Sequence, residues 1–242
     1  MDVYQNGILL VPGDDYTATT GTTVVLVQAA SLNDIVEMIV YDVFTVSDSV
    51  SASSGGNFVS DITVGGSAVK VAGKETIYVP ATAMYPNTTN GCANIAQVEL
   101  SNGPEIKVLD FDASSDENAQ FTVAFPNSWN EGTVTFQAFF TVTGTNTGTV
   151  AWGLSGVAIA DNDSCNTAFG TNVVATAKAH SGTENDINVT AESGAVTIAG
   201  SPSTSEFVFF QIMRDVSADD QSGDARLLGI KLFFTTDAKS DG

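Results

Sequence analysis

Apolar and polar residues alternate with a period of two along several stretches of this 242-residue chain, and this alternation constrains its fold more than any other feature. Phe121, Val123 and Phe125 alternate with Thr and Ala, and the run 134–142 shows the same pattern. Successive side chains of a β-strand point to opposite faces of its sheet, so such runs predict strands with one buried face. The sequence has no long amphipathic helical pattern, and the chain is predicted to be all-β.

Runs of this kind, separated by turn residues, continue from residue 75 to the end of the chain. They are 75–83, 96–100, 105–113, 119–125, 134–143, 150–160, 171–179, 187–192, 206–216 and 225–236. Short strands at regular spacing with turns between them are typical of sandwiches and barrels. A jelly roll is the most economical arrangement for so many strands, so we expect residues 75–242 to form a jelly-roll-like β-sandwich.

The runs 206–214 and 227–234 are apolar on both faces. A strand of that kind must be covered on both sides. One cover is the core of the domain, and because the chain offers no amphipathic helix, we expect the other to be a second subunit. Phe210, Ile212 and Phe233 are therefore expected at or near subunit contacts.

Residues 1–46 are predicted to form a small β module of their own. Asn6-Gly7 stands between two apolar runs and is the dipeptide that best tolerates the positive φ angles of a tight hairpin. A turn at 13–15 and β-branched runs at 22–27 and 34–44 follow. Residues 47–74 are then rich in Ser and Gly, a composition that predicts a neck or linker.

Two parts of the chain resemble bacteriophage virion proteins, especially those of marine phages. The N-terminal part resembles a tail-fibre module in Asn6-Gly7, Ile8-Leu9-Leu10, Asp15-Tyr16-Thr17, Gly21-Thr22 and the run 34–44. The C-terminal part resembles a phage structural domain in 77–86, 107–112, 125–132, 152–153 and 229–234.

The resemblance implies a virion protein, on the tail or the capsid exterior, that is assembled in the host cytoplasm. It implies a homotrimer, contacts with other virion proteins, and a tail-fibre or appendage role in host attachment through a surface glycan. In such fibres, a stretch like 47–74 forms a thin shaft, which is the alternative to a plain linker.

The charge balance excludes several partners. Eight Lys and Arg stand against 28 Asp and Glu, a formal net charge of −20. Such a surface repels nucleic-acid phosphates and anionic membranes, so no nucleic-acid partner is expected. No apolar segment is long enough to span a bilayer, so no membrane insertion is expected either.

The residues that enzymes use are sparse. His180 is the only histidine and is expected in an exposed loop, and no GxSxG motif, Walker loop or dinucleotide fingerprint is present. The shortage of ligands also argues against zinc. Cys92 and Cys165 are expected to be buried small hydrophobes. We therefore expect no enzyme, no catalytic residue and no cofactor other than calcium.

The calcium candidate consists of Asp110, Asp112 and Asp116. The first two lie two apart on a predicted strand and therefore point to the same face, and Asp116 follows in the turn. The run lacks the Gly and the Glu that an EF-hand loop requires. Solvated loop carboxylates are the alternative interpretation.

Aromatic side chains are the candidates for sugar contacts, because their rings can cover the apolar face of a sugar. The candidates for this role are Trp129, Trp152, Tyr78 and Tyr85. Trp152 lies in a predicted strand and is expected in the core. Trp129 lies in a turn and is the better candidate for a glycan contact, with packing as the alternative.

A tail-fibre component in host attachment is the leading hypothesis for function. A capsid decoration or head-fibre protein shares every feature above. A carbohydrate-binding module is the alternative from another class, and it requires a monomer with an exposed aromatic platform. A polysaccharide depolymerase is disfavoured because the sequence has no β-helix repeat.

Overall fold

The computed structural model describes residues 1–41, 63–64, 67–68, 73–238 and 241. The chain divides into two compact units, residues 1–62 and residues 63–242. The described residues form strands, turns and a short 3₁₀ turn at Ala81–Ala83, with no α-helix among them, so the all-β prediction is confirmed. In the same residues, no helix is long and apolar enough to cross a membrane. The predicted boundaries at 46 and 75 stay predictions.

The N-terminal unit begins with the predicted hairpin. β1 (Asp2–Gln5) and β2 (Ile8–Leu9) are joined by Asn6 and Gly7, whose φ angles are 50° and 80°. Positive φ at both positions is the geometry that Asn-Gly favours, so this prediction is confirmed. The strands β3 (Tyr16–Thr17) and β4 (Val25–Leu26) pair with each other, and β5 (Val36–Ile39) pairs with the free edge of β1.

Asp34, which precedes β5, is hydrogen-bonded to this hairpin. Its carboxylate accepts hydrogen bonds from Gln5 Nε2, Asn6 Nδ2 and the Ser31 backbone N–H, each at 2.8 Å. The bonds from Asn6, then Ser31, then Gln5 stabilise the charged carboxylate, so they hold the pKa of Asp34 below its ordinary value of 3.8.

Few apolar side chains are buried in the described part of this unit, residues 1–41. Val3 and Tyr16 are its buried hydrophobic residues in the described range 1–41. The exposed large ones are Met1, Ile8, Leu9, Val11, Val25, Val27, Leu32, Ile35, Val36, Met38, Ile39, Val40 and Tyr41. An exposed apolar surface of this kind is typical of a protein–protein contact.

The C-terminal unit starts with a short hairpin of β6 (Thr63–Val64) and β7 (Ser67–Ala68). Apart from this hairpin, Gly73 and Lys74, the predicted neck at 47–74 lies outside the described residues. Gly73 is tied to the far end of the chain: its carbonyl accepts from the Thr236 N–H at 2.8 Å, and its N–H donates to Thr236 Oγ1 at 3.0 Å. The chain therefore enters and leaves the sandwich side by side.

Two six-stranded sheets form the sandwich. The order of sheet I is β10 (Ala96–Val98), β11 (Ile106–Phe111), β21 (Ala225–Thr235), β13 (Thr135–Val142) and β18 (Asn188–Val189), with β8 (Lys74–Pro80) also paired to β21. The order of sheet II is β16 (Val173–Val174), β15 (Trp152–Ile159), β20 (Phe207–Arg214), β12 (Glu117–Val123) and β9 (Tyr85–Pro86), with β19 (Ile198–Ala199) parallel to β15. A small pair, β14 (Thr149–Val150) and β17 (Lys178–Ala179), completes the unit.

The inner faces of the two sheets pack into one core. Trp152 of sheet II lies against Phe111 and Phe140 of sheet I, with ring centroids 4.9 and 5.9 Å apart, and all three side chains are fully buried. The alternating residues of β12 and β13 point inward as predicted, because burying one face of each sheet is the main source of stability. The prediction of a β-sandwich is confirmed.

The expected subunit contacts on β20 are wrong. Phe210 and Ile212 are fully buried in the core of their own sandwich. The strand is apolar on both faces because Phe207 and Phe209 occupy the outer face near its start, where they remain partly exposed. Phe233 does lie on the outer face of sheet I, partly exposed. The homotrimer stays a prediction.

Arg214 ends β20 with a buried ion pair. Its guanidinium donates to Asp219 through Nε at 2.8 Å and Nη2 at 3.2 Å. The remaining donors reach the carbonyls of Phe111, Gln221 and Gly223 at 3.0, 2.8 and 3.0 Å. All five donors of the guanidinium are thus satisfied, and the loop between β20 and β21 is held against sheet I.

Candidate functional site

The outer face of sheet II carries a row of aligned polar and aromatic side chains. In the strand register, Gln120 of β12 lies opposite Tyr85 of β9 on one side and opposite Gln211 of β20 on the other. Tyr85 is 47 % exposed, and both glutamines are partly exposed. The next residue in this register, Ser155 of β15, is buried, so the accessible row ends at Gln211. We call these three residues the amide row.

Hydrogen bonds fix the orientation of the amide row. Asn87 Nδ2 donates to Gln211 Oε1 at 2.8 Å, and Gln120 Nε2 donates to the same oxygen at 3.4 Å. The Gln211 carbonyl is therefore occupied, while its amide nitrogen makes no hydrogen bond to the described residues. In the same way, Gln120 Oε1 accepts none from them. One amide donor and one amide acceptor of the row are thus left without a partner among the described residues.

A groove of about 270 Å³ adjoins the row. Its lining residues are Tyr85, Pro86, Asn87, Thr88, Thr89 and Gln120. On the other side of the row, Thr122 lies opposite Phe209, which packs edge-on against Phe207 at 5.1 Å. None of these side chains carries a charge, although the chain contains 28 acidic residues. The surface can therefore stack on an apolar face and exchange neutral hydrogen bonds.

The three predicted calcium ligands have separate partners. Asp110 lies beside Arg226, with Oδ1 3.4 Å from Nε, and burial raises the pKa of its carboxyl. Asp112 Oδ1 accepts two hydrogen bonds of 2.5 Å from Ser114, which lower its pKa. Asp116 Oδ1 accepts from the Val216 N–H at 3.0 Å. Within the described ranges, no group of three or more His, Cys, Asp or Glu residues could hold a metal ion. Calcium binding stays a prediction.

Trp129 does not offer a ring to a glycan. Its side chain is 1 % exposed and stacks on Phe125 at a centroid distance of 4.1 Å. The backbone does turn here, but the indole points into the core, where burying so large an apolar ring is favourable. The expectation of a glycan contact at Trp129 is therefore wrong. Trp152 is fully buried, as expected.

His180 and Cys165 also differ from expectation. His180 is buried rather than in an exposed loop, and its Nδ1 lies 2.8 Å from the Asn146 carbonyl oxygen. Cys165 is exposed, whereas Cys92 is buried as predicted, and desolvation raises the pKa of the Cys92 thiol to about 12.

The amide row was missed by the sequence analysis except for Tyr85. Gln120 and Gln211 each occupy an outward position of an alternating strand, which predicts only a solvated side chain. What brings them beside Tyr85 is the pairing of β9, β12 and β20, three strands far apart in the chain. The sequence signal that could have indicated this site is Tyr85, an aromatic residue close to the apolar run 77–80.

No protein-family model and no curated protein matches the chain. Among solved structures, those similar to it include carbohydrate-binding modules. One is the CBM36-1 domain of a multidomain xylanase from the hindgut metagenome of Trinervitermes trinervoides, with 10 % identity, 65 % of this chain and 96 % of that chain covered, and a TM-score of 0.35. The C-terminal CBM6 of LamC from Zobellia galactanivorans has 13 % identity, coverages of 65 % and 98 %, and a TM-score of 0.32.

A third neighbour is the family 11 carbohydrate-binding module from Clostridium thermocellum, in complex with a β-1,3-1,4-mixed-linked tetrasaccharide. It has 9 % identity, coverages of 74 % and 96 %, and a TM-score of 0.33. Likeness at this level assigns neither a family nor a ligand to the chain. The class that the structure itself defines is an all-β protein with a β-sandwich domain.

Proposed function

We propose that the sandwich is a non-catalytic glycan-binding module that holds a neutral sugar chain on the outer face of sheet II. The observation that supports this is the amide row: an exposed tyrosine beside an amide acceptor and an amide donor, on a face without charge. Neutral sugars need this combination, because their rings have an apolar C–H face and a periphery of hydroxyl groups. A carbohydrate-binding module is thus favoured over a tail-fibre component as the class of this sandwich.

Each group has a definite task. The Tyr85 ring covers the apolar face of one sugar residue. Gln211 Nε2 donates to a sugar oxygen, and Gln120 Oε1 accepts from a sugar hydroxyl. A neutral hydrogen bond contributes about 0.5–1.5 kcal/mol, so each site is weak, and several copies on one polymer would gain from effective concentration.

The residues that line the groove beside the amide row favour binding of a glycan without its hydrolysis. Glycoside hydrolases use a pair of carboxyl groups that flank the scissile bond. The residues that line the groove include neither Asp nor Glu. The absence of enzyme activity is part of the proposal. A role on a virion stays a prediction from the resemblance, and a glycan-binding head would serve host attachment.

Titration calorimetry with neutral oligosaccharides, including mixed-linkage β-glucan and xylan fragments, tests the proposal. We expect Tyr85→Ala to weaken binding about tenfold, or about 1.4 kcal/mol. Gln211→Ala should weaken it about three- to tenfold, the value of one hydrogen bond. The matched control is Tyr41→Ala, because Tyr41 is 61 % exposed in the N-terminal unit. Binding that is equal in wild type and Tyr85→Ala, or absent for every neutral glycan, would refute the proposal.

A further inference from the structure

The outer face of sheet I carries a different surface, in which aromatic rings surround a lysine. Lys231 of β21 lies opposite Tyr78 of β8 and opposite Gln137 of β13 in the strand register. Its Nζ is 5.9 Å from the ring centroid of Phe139 and 5.8 Å from that of Phe233. Tyr78 packs edge-on against Phe139 at 6.0 Å. We call Tyr78, Gln137, Phe139, Lys231 and Phe233 the lysine platform.

Lys231 forms no ion pair with the part of the sandwich that the structure describes. Of the eight basic residues, Lys70 and Lys239 lie outside the described residues. Three of the other six, Lys74, Arg214 and Arg226, form ion pairs. No described carboxylate lies within 4.0 Å of Lys231 Nζ. A chain of net charge −20 therefore places an unpaired cation at the centre of an aromatic face.

The platform is elongated along β21. Phe139 lies opposite Gly229, and Phe233 lies four residues further along β21, which is about 13 Å at the rise of a strand. Tyr78 is 54 % exposed, and Phe139, Lys231 and Phe233 are partly exposed. The Nζ atom of Lys74 lies 4.6 Å from the ring centroid of Phe233 and pairs with Glu192. The two lysines and the three rings thus lie on one strip across β8, β21 and β13.

We propose that the lysine platform is a second glycan site and that it takes an acidic sugar chain containing uronic-acid residues. The rings cover C–H faces of successive sugars, and Lys231 Nζ donates to a carboxylate between them. Charge complementarity selects the acidic class, because a neutral sugar leaves the lysine without a counter-charge. This site is independent of the amide row, which faces away from it on the other sheet.

The test compares two probes with the same sugar backbone, an oligogalacturonate and its methyl ester, of which only the first carries a negative charge on each residue. Titrations are run in about 0.15 M salt, where screening reduces the repulsion between the acidic chain and an anionic ligand. EDTA is included so that calcium bridging by acidic loops makes no contribution. We expect wild type to bind the acid about tenfold more tightly than the ester, the size of one charged hydrogen bond.

Variants test whether the preference for the acid over the ester depends on the lysine platform. Lys231→Gln should weaken acid binding about tenfold and leave ester binding unchanged, and Phe233→Ala should weaken both. The matched control is Lys107→Gln, because the exposed Lys107 of β11 makes the same change of net charge. Equal binding of acid and ester, or of wild type and Lys231→Gln, would overturn this proposal while neutral-glycan binding at the amide row could still stand.

Discussion

Asp219 supports the buried guanidinium of Arg214, and its replacement by Ala should sharply destabilise the sandwich. The side chains of Arg214 and Asp219 are 0 % and 2 % exposed. In Asp219→Ala, two of the five guanidinium donors lose their acceptor, and the positive charge remains buried without its counter-charge. Breaking a buried pair from one side typically costs about 3–5 kcal/mol.

That range follows from the contacts rather than from the ion pair alone. Nε and one Nη2 proton would be left unsatisfied, and an unsatisfied buried donor costs about 1–3 kcal/mol each. The three bonds to the carbonyls of Phe111, Gln221 and Gly223 can persist, so the loss is less than complete unfolding of the loop. For a unit of this size, about 3–5 kcal/mol corresponds to a fall in melting temperature of roughly 6–20 °C.

Urea denaturation followed by tryptophan fluorescence measures this loss, because Trp129 and Trp152 both lie in the sandwich core. The control is Glu192→Gln, which removes the exposed ion pair with Lys74 and should cost less than about 1 kcal/mol. A loss below about 1 kcal/mol for Asp219→Ala, with an unchanged denaturant slope, would show that the buried pair does not support the loop as argued.

Three further predictions follow from other features. The carboxyl of Asp34 should titrate below 3.8 in an NMR pH series. Because its folded pKa is lowered, its hydrogen bonds stabilise the N-terminal unit above pH 3.8, and this stabilisation is lost as the pH falls through the folded pKa. Titration at or above 3.8 would contradict this. A maleimide reagent should label Cys165 rapidly in the native protein and Cys92 only after unfolding. The thiol of Cys165 is exposed, whereas that of Cys92 is buried and has a pKa of about 12. Equal labelling rates would contradict this. Light scattering tests the homotrimer that the resemblance to virion proteins implies. It should give the mass of three chains, whereas a monomer at micromolar concentration would exclude the trimer and fit a stand-alone carbohydrate-binding module.

Strand alternation was enough to predict the sandwich, because the period of two is a local property that burial of one face imposes. The Asn6-Gly7 hairpin was predictable for a similar reason, since its backbone geometry depends on two adjacent residues. Prediction was poorer where strands are short. The predicted run 171–179 divides into β16 and β17, which pair with different partners, and the pairing of two-residue strands depends on neighbours that are distant in sequence.

The candidate sites were largely hidden from sequence analysis. The amide row unites residues 85, 120 and 211, and the lysine platform unites residues 78, 137, 139, 231 and 233, so both depend on long-range register. Trp129 shows a second limit of prediction from sequence, which concerns the direction of a side chain. A turn sequence places the backbone at the surface, but whether the side chain points outward is decided by the space available in the core.

The paired ends of the sandwich have a mechanical consequence. Gly73 and Thr236 are hydrogen-bonded to each other, and they lie at the same end of the antiparallel strands β8 and β21. A pulling force applied through these two residues would act across the strands, along the direction of the inter-strand hydrogen bonds. The inter-strand hydrogen bonds would then break one after another, starting at Thr235 and Lys74. Under a shearing force, in contrast, all of these bonds would bear the load at the same time. If the chain links two bodies through these ends, the sandwich would yield at low force by peeling β21 from β8.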